Sequence, residues 1–553
     1  MSTYQSTSQN EVEGDADAEH EADHSVSPSH ARVSSNTEAS SSDLEREPLI
    51  ERQPQFLDPD DPKVSPLNLK YVKVLRFVLV SLVIFNTFIF FGILLSDFIA
   101  IPGFNNRGRS FLEMDLMLLN IFSCLITLWC FVVPAYYERL LGYVSSTLIA
   151  IDIIVVLSVP YIRGQFGFFG FFILLWTLLN NLFNCYIDFK IESGRRYQEI
   201  RFTGRVEKRR SVSELLVMFL KIIAKVFLLW VIWDISLSIW LQSFDSHEKP
   251  WGKMVSVQDN ELKVHLSCYG DLSYNASSQP IVLLEGGQLT SSEEFQEWVE
   301  ELYQLNKLDR YCIWDRPGYG FSDSAPSPVS ISLITEHLAE ALRKEKIEGP
   351  YSLVGFDIGG LYSRMFASRN PGRIHSILLV DSWHEDLLRK RPFAGHKNEG
   401  KNVFKNILEL MDTATGFKLW LKGLVSPLGI TTSIHWFFHP KRYSSNSRIF
   451  GRDMYHLSKY IRARLQEQIT SSILSYNELK GADISNVPLG VISSDYVIKR
   501  SSNWGKWQRS LTKLSSKAFE WVIAKESQHL IWKSPRGREQ LQDLLLRLIS
   551  GDS

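Results

Sequence analysis

Residues 353–371 read LVGFDIGGLYSRMFASRNP. An apolar run of strand length ends in a glycine-bounded turn and passes directly into a helical stretch, a layout that holds one side chain on a sharp turn at the head of a parallel sheet. The side chain so held is Asp357, at the centre of Gly355-Phe356-Asp357-Ile358-Gly359, where serine would be expected. A carboxylate there is ionised at neutral pH and attacks carbon without a base, displacing a leaving group to give an alkyl-enzyme ester. The addition that a serine makes to an ester carbonyl is closed to it. Position 357 therefore poses a choice between carboxylate chemistry and chemistry that has been lost.

The elements that must position this turn begin at Lys253, where short β-rich runs alternate with helical stretches, as in a mostly parallel sheet. KMVSVQDNELKVHLSCYG reads as two strands around an Asp-Asn turn, and PIVLLEGG and RYCIWDRPGYGFSD as strands that end in glycine-rich loops. YSLVGFDIGG, IHSILLVDSWHED, VPLGVISSD and FEWVIAKESQHLIW complete the series, with a long helical insertion at about 387–482.

Four segments in this order, LLEGG, DRPGYGFSD, GFDIGGLYSR and SQHLIW, make the chain resemble the α/β-hydrolase superfamily over nearly all of residues 250–550. The resemblance implies a mostly parallel sheet flanked by helices, with the insertion as a helical cap over the site. It places Asp357 at the nucleophile position and the Ile358 N–H as one oxyanion donor, with the second from Gly286 or Gly287. His529 matches the family's general base. The acid that orients it is Asp381, at the end of ILLVD, or Asp495, after VISS; the spacing of VISSDYVI favours Asp381. Glu385 and Asp386 are expected in solvent. Relatives resembling epoxide hydrolases and haloalkane dehalogenases carry Asp at this turn. Ile358 departs from the dehalogenases, which place a halide-binding Trp there, and Glu285 stands where relatives usually have His. Epoxide opening would draw on cap hydroxyls, with Tyr443, Tyr455 and Tyr460 available.

The N-terminal half has a different character. Residues 1–66 hold fifteen Asp and Glu against four Lys and Arg, are rich in Ser and read as a disordered tail. Five apolar runs follow, at about Val74–Leu95, Leu116–Tyr136, Val144–Tyr161, Phe166–Tyr186 and Ile222–Trp240, each near the roughly 20 residues needed to cross a bilayer. The extreme N-terminus has no cleavable signal pattern. The expected organisation is thus a tail over 1–66, a multi-pass helical membrane domain over 67–245 and an α/β-hydrolase domain over 246–553.

Orientation follows from basic residues. DFKIESGRRYQEIRFTGRVEKRRSV, between the fourth and fifth runs, carries eight Lys and Arg and should remain cytosolic, as should Lys70, Lys73 and Arg76 before the first run. Four crossings reconcile the two signals, and a fifth delivers the hydrolase domain to the lumenal side. The Asn275-Ala276-Ser277 glycosylation acceptor agrees with that placement. So does a Cys268–Cys312 pairing, were it to form in an oxidising lumen, whereas Cys124, Cys130 and Cys185 read as small apolar fillers. EREPLI at 45–50 resembles the acidic dileucine sorting signal of endosomal and vacuolar membrane proteins, and the expected location is a vacuolar or endosomal membrane or that of the endoplasmic reticulum. Asp152 and Asp234 are either capped acids or marks of a polar path.

The net charge of -1 gives no reason to invoke nucleic acid. No cofactor or metal is called for, and protein partners are unspecified. The leading expectation is a lumenal hydrolase of a small or lipid-like ester or epoxide-type substrate. A catalytically inactive binding or scaffold protein is the alternative, and a transporter with an accessory domain rests only on the helix count.

Overall fold

The computed structural model describes residues 56–57, 61–99, 101–104, 109–131, 133–206, 211–273, 277–324, 327–389, 416–438 and 445–551. Residues 1–55 of the tail with its EREPLI segment, Asn275, Tyr443 and the insertion between 390 and 415 lie outside them; at the tail's end Pro62–Val64 and Pro66–Asn68 form short helical turns, with Val64 and Pro66 buried. Leu57–Ser553 forms one compact unit.

Five helices long and apolar enough to cross a membrane come first: α1 (Lys70–Ser96), α2 (Ser110–Trp129), α3 (Tyr136–Ser158), α4 (Pro160–Thr203) and α5 (Val212–Asp245). Their surface is inverted relative to a soluble bundle. Phe77, Phe88, Leu216 and Phe227 point outward, while Asn86, Asn120, Thr177, Asn180 and Asn184 are buried between helices. Lipid gives a polar side chain no partner, so polar groups turn inward and bond to one another. Asn120 donates to Thr177 at 3.1 Å, and Asn184 to Ser123 at 3.0 Å. Fully buried Lys221 pairs with Glu138, and with Asp188 at 3.2 Å. Asp152 is satisfied too, accepting from Ser236 at 2.6 Å and Trp240 at 3.0 Å, so it is a capped acid.

Helix boundaries differ from the apolar runs for local reasons. α2 begins at Ser110 because Glu113 and Asp115 are buried within the protein, and it ends at Trp129, ahead of Pro134, which disfavours helix in the residue before it. α4 extends to Thr203, 17 residues past Tyr186, as a polar continuation that ends at left-handed Gly204. Gly167, at φ 59°, puts a kink in it.

The second half is built on an eight-stranded sheet of order β1-β2-β4-β3-β5-β6-β7-β8. The strands are β1 (Lys253–Val257), β2 (Leu262–Tyr269), β3 (Ile281–Glu285), β4 (Tyr311–Trp314), β5 (Tyr351–Phe356), β6 (Ile374–Val380), β7 (Leu489–Ser494) and β8 (Ala518–Ala524). β1 and β2 are joined by a turn through Gln258, Asp259 and Asn260, all at positive φ; the β1–β2 and β2–β4 pairs are antiparallel and the rest parallel. Cys268 and Cys312 are register partners on β2 and β4 and are disulfide-bonded.

The central strands are buried on both faces, which explains their unbroken apolar runs. Leu283, Leu353 and Leu379 pack on one face with helices α7 (Ile331–Lys344) and α8 (Gly359–Arg369). Their strand neighbours Leu284, Val354 and Val380 pack on the other with helix α6 (Ser292–Gln304) and the C-terminal helix Pro535–Ser550. That period of two lets one strand feed two cores.

The described part of the insertion is helical, including Gly416–Val425, Ser458–Gln468 and Thr470–Lys480. It rests on the ends of α2 and α5, in one apolar cluster that joins Phe111 and Ile239 to Leu419, Met454 and Leu465. Gly423 allows this approach, because a Cβ there would collide with the Phe111 ring. Polar clamps fix the register. Buried Arg462 reaches Asp97 at 3.2 Å and Ser110 at 3.1 Å, Gln466 donates to the Asp97 carbonyl at 2.7 Å, and Arg448 pairs with Asp245.

Candidate active site

Asp357 follows β5 on the turn into α8 with φ 54°, a left-handed conformation that a non-glycine residue holds only where surrounding structure enforces it. The turn fits because Gly359 and Gly360 leave room: a Cβ at either would overlap the Glu285 carbonyl or Ser382. The Asp357 carboxylate is polarised by its partners. Oδ2 accepts the Gln288 N–H at 3.0 Å, and the Ile358 N–H also bonds the carboxylate. Oδ1 lies 3.5 Å from His529 Nε2. Burial works against the Asp357 charge, but the His529 hydrogen bond and charge and the two backbone N–H groups hold its carboxyl below the usual carboxylate value.

His529 comes from the loop after β8, and Asp381 from the end of β6. His529 Nδ1 lies 2.6 Å from Asp381 Oδ2, while Asp381 Oδ1 accepts the Trp504 indole N–H at 2.7 Å and the Ser494 N–H at 3.3 Å. The imidazole thus sits between two carboxylates. Burial opposes its charge, yet its hydrogen bonds to Asp357 and Asp381, and their charges, push it up to about 10. Between the two acids the charged form of His529 is therefore favoured.

The structure separates the two candidate acids. Asp381, the one the spacing favours, lies beside His529, whereas Ser494 caps the short helix Asp495–Arg500 and the Asp495 carboxylate accepts from Lys499 at 2.8 Å and the Ser527 N–H at 3.2 Å. The loop donor that reaches Asp357 is Gln288, one residue beyond Gly287 and two beyond Gly286. Gly287 makes that reach possible, since a Cβ there would lie 2.7 Å from the Phe356 ring and 2.9 Å from Asp357 Cβ. Ile358 sends its side chain into the core, fully buried. Glu385 bonds Arg364 at 2.6 Å and is not in open solvent.

Glu285 does not face the oxyanion position uncompensated. Its carboxylate accepts from Trp314 at 2.6 Å and Arg316 at 2.8 Å, and although burial pushes it up, Arg316 counters that rise. Arg316 also donates to the Gly286 and Gly287 carbonyls and to Glu467 of the cap at 3.0 Å. One buried guanidinium therefore ties the oxyanion loop to the cap. Arg316 and Gln288 had no assigned role in the sequence reading; register carries part of the signal, because β3 and β4 are parallel neighbours that end in Glu285 and Trp314. From the cap, Tyr460 donates to the Gln288 carbonyl, and Tyr455 to the Leu289 carbonyl at 3.1 Å. Around the same loop, Gln288 Nε2, Thr290 Oγ1 and Gln468 Oε1 are buried without a hydrogen-bond partner among the described residues.

Such a constellation can present an ionised carboxylate to an electrophilic carbon, hold its second oxygen in a pair of N–H groups, and pass protons through an imidazole.

Comparison with known proteins agrees with this architecture. Residues 39–268 match the family model described as a region of unknown function (DUF2417), and residues 279–402 match that of the alpha/beta hydrolase fold. A protein of Saccharomyces cerevisiae strain S288c described as an uncharacterized vacuolar membrane protein is 30% identical, with 86% of each chain covered. An uncharacterized protein of Schizosaccharomyces pombe is 27% identical over 83% of this chain and 88% of its own. Among solved structures, an esterase from Exiguobacterium antarcticum aligns with 54% of this chain and 99% of its own, at 17% identity and a TM-score of 0.36. An enol-lactonase from Burkholderia xenovorans LB400 aligns with 53% and 99%, also at 17% and 0.36.

Proposed function

The chain belongs to the family of the Saccharomyces cerevisiae vacuolar membrane protein and carries an α/β-hydrolase fold behind five apolar helices; from that premise we propose that it is a membrane-anchored vacuolar hydrolase in which Asp357 attacks an sp3 carbon. An epoxide on a lipid-like molecule is the substrate class that fits best. One observation carries the reading: Asp357 Oδ2 is tied down by the Gln288 N–H at 3.0 Å, while Oδ1 faces the His529 imidazolium at 3.5 Å. A serine's retired position would not require one carboxylate oxygen to be pinned by backbone donors and the other left for attack.

Chemistry then runs in two steps. Oδ1 forms a bond to an epoxide carbon, the C–O bond breaks, and the alkoxide takes the proton from His529 Nε2. Neutral His529 next takes a proton from water, and the hydroxide adds to the Asp357 carboxyl carbon. The tetrahedral oxyanion on Oδ2 rests on the Gln288 and Ile358 N–H groups; its collapse frees the diol, which receives its last proton from the enzyme and leaves Asp357 ionised beside imidazolium. Raised basicity suits His529 to act first as acid. Halide release is less well served, because Ile358 offers no side-chain donor and is buried.

Lumenal placement draws on three supports. Membrane-helix residues that touch the cap, Asp97, Ser110 and Asp245, lie at alternate helix ends on one side of the bundle. Arg195, Arg196 and Arg201 sit at the far end of α4 from that contact. The Cys268–Cys312 disulfide suits an oxidising compartment. The test is turnover of aliphatic epoxides, esters and alkyl halides by full-length wild type and Asp357→Asn: epoxide hydrolysis lost in the variant is expected, and equal inertness of both would overturn the reading in favour of a non-catalytic binding protein.

A further inference from the structure

A cavity of about 280 Å³ lies where the ends of α2, α4 and α5 meet the sheet domain and cap. Asp357, Gln288, Asp381 and His529 are not among its walls, so it is a separate site from the one above. Its membrane-side and cap walls include Leu112, Ile239 and Met454. Charged groups line the same space: the cations Arg109, Lys263, Arg448 and Lys459 and the carboxylates Asp245, Glu248 and Asp323.

Lys459 Nζ donates to one carbonyl, that of Gly320, at 2.8 Å, and Arg109 to the Gln242 side chain at 3.2 Å while its guanidinium stacks 4.2 Å over the Phe166 ring. Among the described residues, no carboxylate stands within ion-pair distance of either. Of the three lining carboxylates, Asp245 is paired with Arg448, Glu248 is exposed, and the oxygens of Asp323 are engaged by the Gln165 amide and, at 3.0 Å, by the Lys263 N–H. Two partly buried positive groups close enough to repel each other are unfavourable until an anion joins them. Burial, with Arg109 nearby, draws Lys459 down to about 8 despite Asp323 and Asp315, so it still carries its charge at neutral and acidic pH.

We propose that this cavity binds an amphiphile with a single anionic head, its carboxylate or phosphate oxygens between Arg109 and Lys459 and its chain against Leu112, Ile239 and Met454. Apolar walls with a few convergent polar groups are the usual build of a small-molecule site. The position at the helix ends, level with the expected membrane surface, favours a lipid over a soluble metabolite. Tyr460 lines the cavity and donates to the Gln288 carbonyl, so an occupant shares a wall with the oxyanion loop.

The test measures binding to full-length protein in neutral phosphatidylcholine nanodiscs by calorimetry. Probes are oleate, oleoyl lysophosphatidate, oleyl alcohol and inorganic phosphate. Wild type is expected to bind at least one of the two anionic lipids saturably, and the better of them identifies the head. The uncharged alcohol and the chainless phosphate should each bind at least about tenfold more weakly, as loss of a charge-assisted contact or of the chain's burial predicts. Arg109→Gln/Lys459→Met should lose about tenfold or more for that lipid, Lys459→Arg should keep it, and Asp357→Asn should bind as wild type does. The proposal fails if oleyl alcohol or phosphate matches the anionic lipid on wild type, if neither anionic lipid binds, or if the folded double variant binds undiminished. The probe comparison on wild type decides the matter even if the double variant does not fold.

Discussion

Replacing His529 with Gln separates the two chemical steps. The imidazole bridges Asp381 at 2.6 Å and Asp357 at 3.5 Å; glutamine retains a polar side chain there but cannot accept a proton from water. Loss of a positioned general base slows its step by about 10²–10⁴-fold, or roughly 3–5 kcal/mol in the barrier. Asp357 still has the Gln288 and Ile358 N–H groups to keep it ionised and aligned. An alkyl sulfonate, whose leaving group departs without a proton, should therefore alkylate the variant about as fast as wild type. With a typical turnover of about 10 per second, the ester would last about 0.1 s in wild type and roughly 10–1,000 s in His529→Gln. Acid quench at 10 s, on the order chosen to fall between those lifetimes, followed by peptide mapping, should find the alkyl mass on the peptide that holds Asp357 only in the variant. Undiminished turnover in His529→Gln, or no adduct on that peptide, would refute the two-step reasoning.

Other outcomes follow from the same geometry. Because Asp357 is held below the ordinary carboxylate range and His529 up to about 10, epoxide opening should stay level between about pH 5 and 9 and fall as pH rises through the His529 value. The stability gained from the His529 contacts runs the same way: its folded value is raised, so the contribution is present below pH 6.5 and lost as pH rises through about 10, readable as thermal midpoint against pH. Asp357→Ser removes the carboxylate that keeps His529 protonated and leaves the oxyanion donors and Asp381 in place, so it should gain a burst with p-nitrophenyl acetate that wild type lacks. In the helix bundle, Lys221→Met strands Asp188 and leaves Glu138 only Lys225, at 3.8 Å, and should cost about 3–5 kcal/mol, seen as a lower unfolding midpoint in detergent.

How far the sequence reaches differs by element. Strands buried on both faces announce themselves as apolar runs, and the elbow at Asp357 is legible because its glycines are fixed by contacts with Glu285 and Ser382. His529 could be placed by its order along the chain. Spacing leaned to Asp381 over Asp495, but the reason Asp495 points elsewhere, the capping of a short helix by Ser494, is a three-dimensional detail. That the loop N–H on Asp357 belongs to Gln288 likewise depends on how the Gly286-Gly287 loop bends around Arg316. Docking of the cap on the membrane helices was illegible: Arg462 and Asp97 are 365 residues apart, and each alone reads as a solvated charge. Apolar runs missed the start of α2 and the end of α4, because acids and bases buried within the protein look like solvent-facing ones in a linear text.

The most direct measurement is the fate of water oxygen. Full-length protein turning over an epoxide in ¹⁸O-water should place the label in the Asp357 carboxylate, because hydroxide adds to that carbon and the diol departs with an Asp357 oxygen. With enzyme in excess over substrate, the first diol formed should be unlabelled and the Asp357 peptide heavier by one ¹⁸O. Labelled diol with an unlabelled Asp357 peptide would mean that water attacks the substrate itself, and the account of Asp357 as nucleophile would be wrong.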